Sequence, residues 1–114
     1  MSDEAKGAVH VYVDDPTHSA FLAYSREFGW QNKIALPNLL VAREFKLRRL
    51  CGDVAGLAAA PSGRQKITVY LGRDRKLQLE RHAAPLTPSD ALSRLIRLEL
   101  SERWLSSALY WSVT

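Results

Sequence analysis

The side chains best placed to do chemistry fall into two short alternating runs. Lys66, Thr68 and Tyr70 take every second place of one, and His10 and Tyr12, preceded by Ala8, take those of the other. Together they offer an ammonium group, hydroxyls and an imidazole on one side of an extended chain, a set suited to recognition by hydrogen bonding. The residue types of catalysis lack the company they need. The histidines His10, His18 and His82 are widely scattered and Cys51 is the single cysteine, so no metal-ligand spacing is present. There is no glycine-rich phosphate loop, no nucleophile elbow and no carboxylate pair at catalytic spacing. The expectation is a non-enzymatic protein without metal or cofactor. In it Cys51 is a small buried or half-exposed apolar residue, His18 faces solvent, and His82 is partly buried with one nitrogen satisfied.

A chain of 114 residues suffices for one domain, and 46% apolar with 25% charged residues describes a globular protein instead of a disordered tail. The longest near-apolar run, Val54 to Pro61, is alanine-rich and far short of the roughly 20 residues that cross a bilayer. The opening Met-Ser-Asp-Glu-Ala-Lys leads into no apolar stretch, so a secretory signal is not expected and a cytoplasmic location is. One cysteine permits no internal disulfide. The net charge of +4 is unevenly spread: residues 1–62 carry seven basic and seven acidic side chains, residues 63–114 nine and five.

The alternating runs belong to a repeat. Val9-His10-Val11-Tyr12-Val13 and Ile67-Thr68-Val69-Tyr70-Leu71 lie 58 positions apart and share the period-2 pattern of half-buried strands. Each is followed by a polar break and a helical stretch. In the first copy Pro16 suits a first helical turn, Phe21, Tyr24 and Phe28 share one face, and Gly29 supplies a stop. Leu79 and His82 take the corresponding places in the second. A further helix follows at an offset of 56, where Trp30, Ala35, Leu36, Leu39, Leu40 and Ala42 match Leu86, Ala91, Leu92, Leu95, Ile96 and Leu98. Thr87-Pro88-Ser89-Asp90 opens the second of these helices with a capping hydroxyl, a proline and an acid at the positive dipole end. In the first copy Gln31-Asn32-Lys33 is a weaker cap, and Pro37 requires either a late start or a kink.

The domain organisation that follows is a first repeat over residues 8–50, a connector over 51–65, a second repeat over 66–106 and an apolar extension over 107–114. A lone strand leaves backbone groups unpaired on both edges, and one copy is too small to build a core, so the two strands must pair with one another. Val9, Val11 and Val13 would then face the helices with Ile67, Val69 and Leu71. Ala8, His10, Tyr12, Lys66, Thr68 and Tyr70 would face away. The fold class expected is mainly α with one two-stranded antiparallel β-ribbon, two β-α-α repeats forming an intramolecular pseudo-dimer.

The stretch Lys66-Ile-Thr-Val-Tyr-Leu71 followed by Thr87-Pro-Ser-Asp-Ala-Leu-Ser-Arg-Leu-Ile96 resembles the ribbon-helix-helix DNA-binding proteins of the MetJ and Arc kind. The resemblance extends over Val9 to Phe45 and Lys66 to Leu105. Members are usually homodimers with an antiparallel ribbon in the major groove, and this chain is similar to tandem forms found among accessory proteins of conjugative transfer. The resemblance implies double-stranded DNA as partner and a role as transcriptional repressor or as accessory protein of plasmid or mobile-element transfer. It implies base reading by Lys66, Thr68, Tyr70, His10 and Tyr12: lysine can donate to guanine, threonine can touch a base edge or a thymine methyl, and tyrosine carries a hydroxyl on a flat ring. It implies phosphate binding at the second-helix N-termini, at Thr87 and Ser89 and at Gln31, Asn32 and Lys33.

The two copies differ. Ala8, His10 and Tyr12 lie close to Asp14 and Asp15, a poor electrostatic match for a groove flanked by phosphates, so an asymmetric reader with a non-palindromic site is expected. Arg43, Lys46, Arg48 and Arg49, interleaved with Phe45, Leu47 and Leu50, read as a solvated helix face with a supplementary phosphate contact as the alternative. Trp104, Leu105, Leu109, Tyr110 and Trp111 either dock on the protein's own core or, through Trp104, Tyr110 and Trp111, serve self-association or a protein partner. The rival to DNA binding is an antitoxin-like or assembly module on the same fold.

Overall fold

Alternating β-branched residues build two strands, and the computed structural model, which describes residues 7–27, 35–51 and 60–104, pairs them with each other. Strand β1 is Ala8–Val13 and β2 is Gln65–Tyr70, forming one antiparallel two-stranded sheet. Four helices complete the architecture: α1 (Asp15–Glu27) and α2 (Ala35–Leu47) after β1, α3 (Arg73–Ala83) and α4 (Pro88–Glu102) after β2, with a short 3-10 turn over Arg49–Cys51. The chain is mainly helical, as the sequence leads one to expect. The register sets His10 opposite Thr68 at the centre, with Ala8 opposite Tyr70 and Tyr12 opposite Lys66.

The helix ends follow local chemistry. Asp14 Oδ1 accepts the Thr17 N–H at 3.0 Å to open α1, and Thr87 Oγ1 accepts the Asp90 N–H at 3.1 Å to open α4, with Pro88 in its first turn. Pro37 sits in the first turn of α2, where a missing N–H forfeits no helical bond. Arg48 (φ 57°) and Arg103 (φ 52°) end α2 and α4 in the left-handed conformation. Their N–H groups return to the carbonyls of Glu44 at 2.6 Å and Glu99 at 2.7 Å.

The core lies between the ribbon and the helices. Val9, Val11 and Val13 are buried with Ile67, Val69 and Leu71, as expected, although Leu71 falls just past the end of β2. Against them pack Phe21 and Tyr24 of α1, Leu36, Leu40 and Val41 of α2, Leu79 and Ala83 of α3, and Ala91, Leu92, Leu95 and Ile96 of α4. Helices cross over between halves: α1 and α2 pack on β2, and α3 and α4 on β1. Ala8, expected to face away, is instead 1% exposed. Its side chain is a single methyl group, opposite Tyr70 in the register, too short to rise above its neighbours on that face. Gln31, Asn32 and Lys33, Phe28 and Gly29, most of the connector, and Leu105, Leu109, Tyr110 and Trp111 lie outside the described residues.

Two glycines close the end of the ribbon. Gly7 (φ 84°) and Gly72 (φ 85°) both adopt backbone angles that side chains resist, and a Cβ on Gly7 would meet the Gly72 carbonyl carbon at 2.2 Å. A Cβ on Gly72 would meet nothing within 4 Å. Gly72→Ala should therefore cost only backbone strain, about 1–3 kcal/mol, and Gly7→Ala clearly more, because strand ends must also separate. Urea unfolding of the two variants checks the order, and equal losses would contradict the close approach.

Candidate nucleic-acid interface

Period-2 alternation delivers the outward side chains to one face of the ribbon. Tyr12 is 54% exposed and Lys66 is exposed, while His10, Thr68 and Tyr70 are half-buried. Read across the strands, the face has Tyr12 beside Lys66 at one end, His10 beside Thr68 at the centre and Tyr70 beside Ala8 at the other. All five residues expected to read bases therefore share one surface. At the centre His10 Nδ1 and Thr68 Oγ1 are 3.1 Å apart and share one hydrogen. The second ring nitrogen of His10 and the remaining capacity of the Thr68 hydroxyl are left for a ligand.

Helices buttress the ribbon from behind. The Ser89 hydroxyl, in the first turn of α4, donates to the His10 carbonyl at 2.6 Å. Asn38, in the first turn of α2, donates through Nδ2 to the Tyr70 carbonyl at 3.0 Å, and Arg75 in turn donates to Asn38 Oδ1 at 2.9 Å. Gln65 Nε2 donates to Asp15 Oδ1 at 2.8 Å, tying the start of β2 to that of α1. Asn38 and Arg75 were not visible as functional residues in the sequence, because a single polar residue on a helix carries no periodic signal.

The start of α4 retains part of an anion site. Pro88 has no N–H, the Asp90 N–H is taken by Thr87 Oγ1 and the Ala91 N–H by the Thr87 carbonyl at 2.9 Å. The Ser89 N–H is then the first-turn donor available to a phosphate, aided by the helix dipole. The Ser89 hydroxyl is committed to the strand, so what this residue can offer an anion is its backbone. The Asp90 carboxylate lies in the same turn, 3.7 Å from Arg94 Nε, which offsets its charge.

The basic cluster divides. Arg43 stacks over the Trp104 ring, 4.3 Å from its centroid, and lies 3.7 Å from Glu102 Oε1. Arg49 grips Glu102 with two bonds of 2.7 and 3.1 Å. These two arginines join the ends of α2 and α4 and correct the reading of the cluster as a solvated face, whereas Lys46 and Arg48 are exposed. Trp104 is half-buried against the core, which matches the docked alternative for that residue. His18 is half-buried on α1 rather than solvent-facing. Cys51 is exposed, contrary to its reading as apolar filling, and meets His82 and Glu44 at the end of α2. His82 is partly buried with Nε2 bonded, as expected.

Comparison of the chain with protein-family models, curated proteins and solved structures returns no match. Its chemistry is thus read from its own residues.

The Arg49 guanidinium holds the Glu102 carboxyl below the usual carboxylate range by hydrogen bonding, and Glu102 raises Arg49 in return. A carboxyl depressed in the folded state contributes stability above its unfolded value and loses it as pH falls through the folded one. Stability should therefore fall between neutral and acidic pH. Glu102→Gln should remove part of that fall, at most about 1 kcal/mol for a pair this exposed. Urea midpoints of both proteins at neutral and strongly acidic pH test this, and an unchanged pH slope would refute it.

Proposed function

We propose that the chain binds double-stranded DNA as a tandem, single-chain ribbon-helix-helix protein, laying its ribbon in the major groove. On this reading it is a transcriptional repressor or an accessory protein of plasmid or mobile-element transfer. The observation that carries the reading is the central pair. His10 and Thr68, 58 residues apart, stand opposite each other, the pairing expected if a pseudo-twofold relates the strands. A ribbon two residues in cross-section, with solvated side chains on one face and helices on the other, matches the width of a major groove.

The helices support the same duplication. Tyr24 and His82, also 58 apart, each bond a buried glutamate on the second helix of the opposite half: the Tyr24 hydroxyl donates to Glu99, and His82 Nε2 lies 2.6 Å from Glu44. Glu44 and Glu99 are 55 apart, as are the left-handed Arg48 and Arg103 that follow them. This correspondence extends the repeat beyond its apolar positions to the ends of the second helices.

In the proposed complex Lys66 donates to guanine, Thr68 and His10 address the central base edges, and Tyr12 and Tyr70 extend hydroxyls to either side. Ser89 N–H and Thr87 anchor phosphate. The basic surplus of residues 63–114 supplies counterion release. Because the two halves offer different side chains, the preferred site is not a palindrome.

Selection of bound fragments from random duplexes, followed by titration at rising salt, tests the proposal. Affinity should fall steeply with salt and be lost in Lys66→Ala with Tyr70→Ala. Thr68→Ala should change preference at one base position by roughly 1–3 kcal/mol. No duplex binding at low salt, or binding indifferent to the ribbon variants, would overturn it.

A further inference from the structure

We propose that Cys51 and His82, backed by Glu44, form a half-open binding site for a thiophilic divalent cation, zinc by the chemistry of its ligands. The three residues come from three elements: Glu44 from α2, Cys51 from the 3-10 turn and His82 from α3. Their ligating atoms all lie within 4.8 Å of one another. Among the described residues this is where nitrogen, sulfur and oxygen donors of these types converge. The sequence hides it, since Cys51 and His82 are 31 positions apart.

The Glu44 and His82 part of the site is held in place before any ion arrives. Glu44 Oε1 accepts the Arg49 N–H at 3.1 Å and Oε2 the Leu50 N–H at 2.9 Å, so this buried carboxylate shapes the turn that carries Cys51. The same Oε2 is 2.6 Å from His82 Nε2, and the Phe45 ring meets the imidazole edge-on with centroids 5.2 Å apart. A carboxylate that accepts from one ring nitrogen leaves the other as a lone pair, the arrangement that orients metal-binding histidines. Cys51 Sγ is 3.6 Å from that other nitrogen, Nδ1, and 3.4 Å from Nε2, nearly equidistant from the two and so off the Nδ1 lone-pair direction. Zinc bonds of about 2.3 Å to sulfur and about 2.0–2.1 Å to nitrogen, at tetrahedral angles, separate the two ligand atoms by about 3.6 Å, so a turn of the exposed Cys51 side chain at nearly constant spacing from Nδ1 completes the pair.

Burial and charge fit the same ion. The Glu44 side chain is fully buried and the His82 side chain 13% exposed, while Cys51 opens to solvent. An entering cation gives the buried carboxylate an electrostatic partner, and water completes its coordination on the open side. Binding converts the Cys51 thiol to thiolate and releases its proton to solvent; the Sγ–H now donating to the His82 carbonyl at 3.3 Å is the bond given up. The ion would clip the 3-10 turn that follows α2 to α3, joining the two halves.

Cobalt(II) titration of the full chain reads this directly, because a cobalt–thiolate bond gives a near-ultraviolet charge-transfer band. One cobalt per chain should bind with that band, zinc should displace it, and Cys51→Ser should abolish the band. His82→Gln should weaken binding at least about tenfold. Zinc should raise the unfolding midpoint of the parent protein and leave that of Cys51→Ser, an exposed and conservative change, where it was. Absence of the band, its persistence in Cys51→Ser, or one metal per two chains would each overturn an intrachain site.

Discussion

Everything in this molecule depends on two strands, separated by most of the chain, pairing with each other while the helices cover them crosswise. A two-stranded ribbon is marginal on its own and gains stability only from what packs on its apolar side. Here α1 and α2 pack on β2, and α3 and α4 on β1. Neither half therefore contains its own core. The valines of β1 and the Ile67, Val69 and Leu71 of the other half are buried by one interlocked event, so partial unfolding of one half strips the strand of the other. The same arrangement sets free the opposite face. Because one side of the ribbon carries the whole cohesive load, His10, Tyr12, Lys66, Thr68 and Tyr70 have little part in the core and remain available for recognition.

The buried carboxylates are where the two halves diverge. Glu44 and Glu99 occupy matching places near the ends of the second helices, both with low exposure and both bonded from the first helix of the opposite half. On one side the donor is a tyrosine hydroxyl, which gives its one hydrogen to the carboxylate. Arg43, 3.9 Å from Oε1 of that same Glu99 carboxylate, closes that side with a cation and with Trp104. On the other side the donor is an imidazole, whose second nitrogen stays chemically active, and the neighbouring turn presents a thiol. The surroundings of Glu99 are thus closed by a guanidinium and an indole, whereas beside Glu44 an imidazole and a solvent-facing thiol bring together residue types that bind a metal.

Much of the fold was legible because local chemistry wrote it. Val9, Val11 and Val13 alternate with polar residues, which is sufficient to define a strand with one wet face, and Thr87 is itself the cap that starts α4. That His10, Tyr12, Lys66, Thr68 and Tyr70 share one face followed from the same alternation. What the sequence concealed depends on partners far along the chain. A glutamate on a helix, such as Glu44 or Glu99, reads as solvated until donors 38 or 75 positions away make its burial tolerable. Arg43 and Arg49 read as a basic face because nothing local announces Glu102. Asn38 reads as a surface amide, although its side chain fixes a strand carbonyl. The Cys51 and His82 pair is of the same kind: spacing arguments search for ligands close in sequence, and these are brought together by α2 and α3 docking.

If the two halves are divergent copies, their differences give the ribbon face a direction. At a pseudo-twofold, matching positions on the two strands would carry matching side chains, and Lys66, opposite Tyr12, would be answered at the other end of the ribbon by a lysine at position 8, opposite Tyr70. Position 8 is alanine, and it is buried. The end bearing Tyr12 and Lys66 therefore holds an ammonium and an exposed phenol, and the end bearing Tyr70 only one half-buried ring. The centre is unequal too, an imidazole on one strand and a hydroxyl on the other, linked by a single shared hydrogen. On the DNA-binding reading, one half-site is gripped by charge and the other by shape, so the molecule has a defined orientation on its target. A symmetric homodimer would present two identical ends instead. Joining both halves in one chain lets each position of the face change alone while the interlocked core behind it stays the same.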